Sequence, residues 1–169
     1  MVEVLTTAFL FMKKNDNAKK TNAARLLDRA GISYELIPYE VDEEHLSADA
    51  VAAKLREDIA CVYKTIVLHG DRNGHFVCVV RGDSEIDLKE AARVSGNKRA
   101  ELIHVKELLP LTGYIRGGCS PIGMKKPFPT YYQASIAEHP YVYVSAGMRG
   151  LQLKIAPADL IAFTHGQLF

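Results

Sequence analysis

The first regular pattern of apolar positions lies between Thr21 and Ala30. There Ala23, Ala24, Leu26, Leu27 and Ala30 recur at helical spacing, and Gly31 supplies a stop. The rhythm then changes. Ile32–Val41 is a mixed apolar run carrying Pro38, which predicts an edge strand. Ser47 is placed to cap a second helix over Ala48–Arg56. Cys61–Leu68 and His75–Val80 are β-branched, apolar runs. Between them Asp71-Arg72-Asn73-Gly74 is hairpin chemistry, because Asn-Gly reaches positive φ at little cost. Asp87 caps a predicted helix over Leu88–Val94, ended by Gly96, and Glu101–Val105 reads as a short strand before a short helix, Lys106–Leu111. Tyr141–Ser145 and Leu151–Ile155 flank Ala146-Gly147-Met148-Arg149-Gly150 as a second hairpin. Pro157 then opens a terminal helix at its first turn, where its missing N–H does no harm. Strands dominate and do not alternate strictly with helices. This predicts an α+β fold, with a mixed or antiparallel sheet that can close into a barrel, rather than a doubly wound one.

Composition changes this picture little. The 169 residues are 48% hydrophobic and 24% charged, an ordinary globular mix of about one domain's length, which excludes a disordered or low-complexity chain. Twenty-one Lys and Arg against 20 Asp and Glu give a net charge of +1, which excludes a strongly basic, histone-like binder. Cys61, Cys78 and Cys119 form no CxxC pair and are odd in number, so a reducing, cytoplasmic setting is the simplest expectation. The apolar stretch Val4–Met12 is too short to cross a bilayer and lacks the basic flank and cleavage site of a signal peptide. Met12 is followed by Lys13-Lys14-Asn15-Asp16-Asn17, which reads as a chain start. Residues 1–18 are therefore expected to be an N-terminal extension and 19–169 a single domain.

Candidate chemistry concentrates in two places. Gly118-Cys119-Ser120-Pro121-Ile122-Gly123 superficially suggests a serine nucleophile. However, a nucleophile elbow uses the N–H after the serine, and Pro121 has none. The loop is either a plain glycine turn or a cradle in which Gly117 and Gly118 let backbone N–H groups approach a ligand oxygen. Cys119 fits a small buried filler better than a nucleophile, with no histidine near it in sequence. The second place is Lys64, alone in the apolar strand Cys61–Leu68 and sharing a face with Val62, Ile66 and Leu68. Lysine is rarely buried unless paired, so its stem either snorkels to an edge or its ammonium enters a polar pocket. Taken singly, Thr65, Tyr39 and Ser145 read as ordinary strand residues. Six histidines give no HExxH and no i, i+4 pair, and neither GxGxxG nor a Walker A pattern occurs, so no metal or nucleotide cofactor is expected. Residues 13–29 carry six Lys and Arg against two Asp, and Arg116, Lys125, Lys126 and Arg149 flank the glycine loops. A phosphate-rich partner could use such faces, although solvated charge is the default reading.

Several segments together resemble the YbaK/EbsC family of aminoacyl-tRNA deacylases, related to the editing domain inserted in prolyl-tRNA synthetases. They are Val62-Tyr63-Lys64-Thr65, the whole of Gly113–Gly123, Tyr143–Leu151 and Ile155–Leu160. The resemblance spans about residues 19–165. It implies a mixed, barrel-like sheet with surrounding helices, and release of mischarged amino acid from tRNA, best known for Cys-tRNA(Pro). It implies no cofactor and no membrane; the partners are the 3′ end of an aminoacyl-tRNA and a prolyl-tRNA synthetase. By position it makes Lys64, Gly117 and Gly118 catalytic, and assigns Tyr39, Leu46, Thr65 and Ser145 to substrate binding. Leu46 departs from the family pattern, standing where some members carry an aromatic residue. The implied mechanism uses the thiol of the bound cysteine as nucleophile. Two other readings stay open: editing of alanine or serine by activated water, and a non-catalytic tRNA-end-binding or regulatory module.

Overall fold

A computed structural model of the chain describes residues 20–169. The expected extension over residues 1–18, with the Val4–Met12 stretch and the basic residues before Lys20, lies outside the described residues. The first element, α1 (Asn22–Ala30), starts where the Thr21 hydroxyl accepts from the Ala24 N–H at 3.2 Å and buries Ala23, Ala24 and Leu27. β1 (Glu35–Pro38) follows, then α2 (Ala48–Leu55) with Ser47 as its cap. The first of two 3-10 turns, Ile59–Cys61, leads into the hairpin of β2 (Tyr63–Gly70) and β3 (Gly74–Arg81); the second is Ala134–Glu138. The Asp87 carboxylate accepts from Lys89 and Glu90 N–H to open α3 (Leu88–Val94). β4 (Ala100–Leu102) and α4 (Val105–Thr112) come next. Val105 was expected in the strand but begins the helix, because the His104 N–H donates to the Glu107 carboxylate at 2.8 Å and sets the boundary there. The chain ends with β5 (Thr130–Tyr132), β6 (Val142–Met148), β7 (Leu151–Ile155), α5 (Pro157–Thr164) and β8 (Gln167–Leu168).

The α+β class is as expected, but no single sheet closes into a barrel. Two sheets form, one in the order β1-β7-β6 and the other β4-β2-β3-β5-β8. The second is mixed: β2 and β3 are antiparallel, whereas β5 runs parallel to both β3 and β8. β1, with its terminal Pro38, pairs only with β7 and is an edge strand as predicted. One parallel bridge, Val62 to Tyr143, joins β2's entry to β6.

Apolar burial explains why the sheets are held together there. The main core gathers Val67, Val77 and Val79 from one sheet with Val142, Val144 and Leu153 from the other, and α1 and α5 add Leu27 and Leu160. The opposite face of the β2–β3 hairpin packs Leu68, Phe76, Cys78 and Val80 on Ala91 of α3. A third cluster, Val51, Ala52, Val62 and Tyr143, clamps α2 over the bridge. Beside that bridge lies a cavity whose lining includes Lys64, Thr65, Ser145 and Gln152. Among the described residues no helix is long and apolar enough to cross a membrane.

Candidate active site

β2 is bonded to β3 along its whole length, but its other edge is occupied only at the ends. Val62 bridges to Tyr143 at one end, and Leu68–Gly70 pair with β4 at the other. The Val62 carbonyl accepts from the Gly82 N–H across β3, and the Val67 carbonyl accepts from the Ile103 N–H on the opposite side. Peptide groups alternate in direction along a strand, so those of Tyr63 and Thr65 turn toward the open edge. A cavity of about 550 Å³ lies against this edge, lined by Lys64 and Thr65 on one wall, Ser145 and Gln152 on another, and Leu46, Arg116 and Gly117 at the mouth. Lys64 is half-buried there, so the pocket reading of the anomalous lysine fits better than a surface-snorkelling stem. The Thr65 Oγ1 is buried without a hydrogen-bond partner among the described residues. A buried, unpaired hydroxyl costs free energy on the order of 1–3 kcal/mol, and a site that binds a polar ligand recovers it.

The glycine loop forms the roof. The Tyr114 hydroxyl donates to the Ile122 carbonyl at 2.6 Å and closes it. Ser120 is fully buried, with its Oγ accepting from the Ile122 N–H at 3.2 Å, so it holds the loop's shape and faces no substrate. Gly117 has φ +83°, a left-handed conformation that favours glycine, and a Cβ there would sit 3.3 Å from Arg149 Nε. Its N–H and that of Cys119 have no partner among the described residues, and both residues line the cavity. Gly118 stands apart. Its N–H is committed to the Ile115 carbonyl at 2.9 Å, and it packs against the Met148–Arg149 backbone outside the cavity lining. Of the cavity-lining loop residues, Arg116, Gly117 and Cys119 thus have N–H groups without a partner among the described residues, where the sequence pointed to Gly117 and Gly118.

Burial pushes the Cys119 thiol up to about 12, which leaves it protonated and unreactive near neutrality. Cys61 lies 3.6 Å from His139 Nδ1, but outside the cavity lining, and burial and then Asp58 and Glu57 push its thiol up as well. Among the described residues no three or more His, Cys, Asp or Glu side chains gather where they could hold a metal. The cavity thus holds hydrogen-bond donors, two cations, Lys64 and Arg116, and the carboxylates of Glu43 and Glu44, while its one thiol, Cys119, is not activated.

Arg149 fixes the mouth. From the β6–β7 turn its Nε donates to the Arg116 carbonyl at 2.8 Å and its Nη1 to Glu43 at 2.6 Å, tying the glycine loop to the acidic segment before α2. Of the sequence-predicted residues, Lys64, Thr65, Leu46, Gly117 and Ser145 come together around one cavity. Tyr39 lies in a small neighbouring recess with Val41, Leu46 and Val51. Gln152 was missed. It sits opposite Ser145 in the β6–β7 ladder, 4% exposed, and lines the cavity without a side-chain partner among the described residues. It shares a strand face with Lys154, opposite the core-facing Leu151, Leu153 and Ile155, so its position in the sequence carried no signal.

Residues 42–163 match the aminoacyl-tRNA editing domain family. A relative from Enterococcus faecalis, EbsC, named as a candidate Cys-tRNA(Pro)/Cys-tRNA(Cys) deacylase, is 44% identical over 92% of this chain and 95% of its own. The crystal structure of a candidate trans-editing enzyme for prolyl-tRNA synthetase superposes with a TM-score of 0.74 at 24% identity, covering 88% of this chain and 96% of that one. A second, hypothetical protein APE2540, gives a TM-score of 0.78 at 20% identity over 85% and 94%. These two structures establish likeness of fold.

Proposed function

The chain belongs to the aminoacyl-tRNA editing domain family, and from that premise we propose that it is a deacylase releasing cysteine from mischarged Cys-tRNA(Pro), with residues 19–169 as its single editing domain. The observation that carries this reading is the 44% identity, over nearly the whole chain, to a relative named for that reaction. The cavity supports it by offering a way to cleave an ester without a nucleophile of the protein's own.

In this reading the bound cysteine's thiolate attacks its own ester carbonyl. A C–S bond forms, the ester C–O bond breaks, the 3′-terminal ribose oxygen takes up a proton, and the amino acid leaves as a four-membered thiolactone. A thiol with a pKa of about 8.5 is partly ionised near neutrality, whereas a hydroxyl is not. Intramolecular reactions reach effective molarities of roughly 10⁵–10⁸ M, less here because the ring is strained. Lys64 holds the ribose or phosphate and the carbonyl region. The Gly117 and Cys119 N–H groups stabilise the developing oxyanion. Thr65, Ser145 and Leu46 line the space for the amino acid, with Tyr39 supporting Leu46 from the recess behind it. Proline has no thiol, so correctly charged tRNA survives. The setting that suits this work is the cytoplasm, alongside prolyl-tRNA synthetase.

The test is a deacylation panel of Cys-, Ala-, Ser- and Pro-charged tRNA(Pro), with S-methylated Cys-tRNA(Pro) and the Cys119→Ala variant. Cysteine should be released fastest. S-methylation should slow release far more than tenfold, and Cys119→Ala should stay within about tenfold, roughly 1.4 kcal/mol in the barrier. Equal release of alanine or serine, or abolition by Cys119→Ala with the blocked substrate still cleaved, overturns the reading.

A further inference from the structure

The cavity mouth is charged asymmetrically. On one side, residues 40–49 carry five acids and no Lys or Arg, and Glu43 and Glu44 reach the lining. On the other, the stretch 108–137 carries Arg116, Lys125 and Lys126 and no Asp or Glu. All three of these cations are exposed. Arg116 stands in the cavity lining itself. Lys125 continues from it: its N–H donates to the Thr112 carbonyl at 3.2 Å, and its stem lies 3.5 Å from where a side chain on Gly113 would be. Two residues earlier, the Gly123 carbonyl accepts from Asn22 Nδ2 at 3.5 Å, which brings the start of α1 alongside. Arg25 and Arg29, three and seven residues after Asn22, share its helical face and are exposed.

Free charge alone does not set these cations apart, since Lys98 and Arg99 are also without an ion pair among the described residues; continuity with the cavity mouth does. Arg81, Arg93 and Arg149 each hold a carboxylate. Arg25, Arg29, Arg116, Lys125 and Lys126 have none within ion-pair distance among the described residues. A ridge of unpaired cations that begins inside a pocket's mouth, faced by an acidic wall, is a track for a polyanion that must leave in one direction.

We propose that this ridge, from Arg116 through Lys125 and Lys126 to Arg25 and Arg29, carries the phosphate backbone of the tRNA acceptor stem, while the acidic 40–44 wall repels it. The inference rests on the proposed function and adds the surface on which the RNA lies. Recognition is of backbone charge, so it adds affinity without reading sequence.

The experiment measures binding of uncharged tRNA(Pro) as a function of salt. It is paired with turnover of full-length Cys-tRNA(Pro) and of a cysteinyl-adenosine ester lacking the stem. The variants are the doubles Lys125→Gln/Lys126→Gln and Arg25→Gln/Arg29→Gln, with Lys98→Gln/Arg99→Gln, at the far end of the β2–β3 hairpin, as control. Each phosphate contact contributes about 0.9 to the slope of log affinity against log salt. Each ridge double should make that slope shallower by about 2, weaken tRNA binding roughly tenfold at low salt and leave the small ester's turnover unchanged. The control double should change nothing, and Glu44→Gln should tighten binding. An unchanged slope in both ridge doubles, an equal change in the control, or an equal loss on the small ester overturns the proposal. If the native protein cleaves neither ester, the deacylase reading fails instead, and the salt slopes still decide whether RNA uses the ridge.

Discussion

Lys64 carries the sharpest expectation at the scale of single residues. Its ammonium is the one cation on the β2 wall of the cavity, beside an unpartnered Thr65 hydroxyl. Lys64→Ala should lower kcat/KM for Cys-tRNA(Pro) by about 10²–10³, the usual loss when one preorganised donor at a reacting group is removed, while the urea midpoint stays near native. Lys64→Arg should also fail, because a planar guanidinium cannot take the place of a compact point charge. Near-native turnover in either variant would place the ammonium away from the chemistry. This lysine was legible in the sequence because a charge inside an apolar strand demands an explanation. Gln152 was not, because a polar residue in an alternating strand ordinarily marks the solvent side. Which glycine N–H groups are free was also illegible, since the Gly118 N–H is taken by Ile115, a neighbour whose backbone angles no residue type announces.

Whole elements were read best where local chemistry decides them. The stop at Gly31, the caps at Ser47 and Asp87 and the Asn73-Gly74 turn all act within a few residues. β5 and β8 were missed because strands of three and two residues carry no periodicity and form only by pairing parallel to distant partners. One long-range contact is decisive for the β2–β3 hairpin: Asn97 Oδ1 accepts from the Arg72 and Asn73 N–H groups at 2.9 and 2.8 Å. The Asn97 amide in turn donates to Ser95 Oγ at 2.8 Å, in a buried position. Asn97→Ala would strand two turn N–H groups and is expected to destabilise the protein by about 2 kcal/mol. It should lower the urea midpoint without changing the m-value. Because the turn lies at the end of β2 remote from Lys64, kcat at a permissive temperature should hold. A fall in kcat with no loss of stability would mean that the turn sets the lysine's position.

Across the whole molecule, the split into two sheets joined at Val62 and Tyr143 creates the cavity, and the burial around its roof is expected to shape its pH dependence. Burial raises the thiols of Cys78 and Cys119 and the phenol of Tyr114 each to about 12 in the folded protein. In the unfolded chain a thiol ionises near 8.5 and a phenol near 10. The folded state therefore retains protons that the unfolded state has released, and stability falls as pH rises from about 8.5 toward 12. Two of these three groups belong to the glycine loop, so the roof of the cavity is directly involved in the alkaline loss. Turnover runs the other way at first, because a substrate thiol supplies more thiolate as the pH approaches its own pKa. Activity should therefore climb from pH 6 to about 8.5 and collapse above it as the loop opens. Urea midpoints at pH 7, 9 and 10.5 should fall progressively. Cys119→Ala should shallow that fall whatever its effect on stability at pH 7, since it removes one of the titrating groups. A midpoint independent of pH across this range would show that the buried groups ionise without cost. A collapse in activity with no change in midpoint would place the alkaline limit in the chemistry and not in the fold.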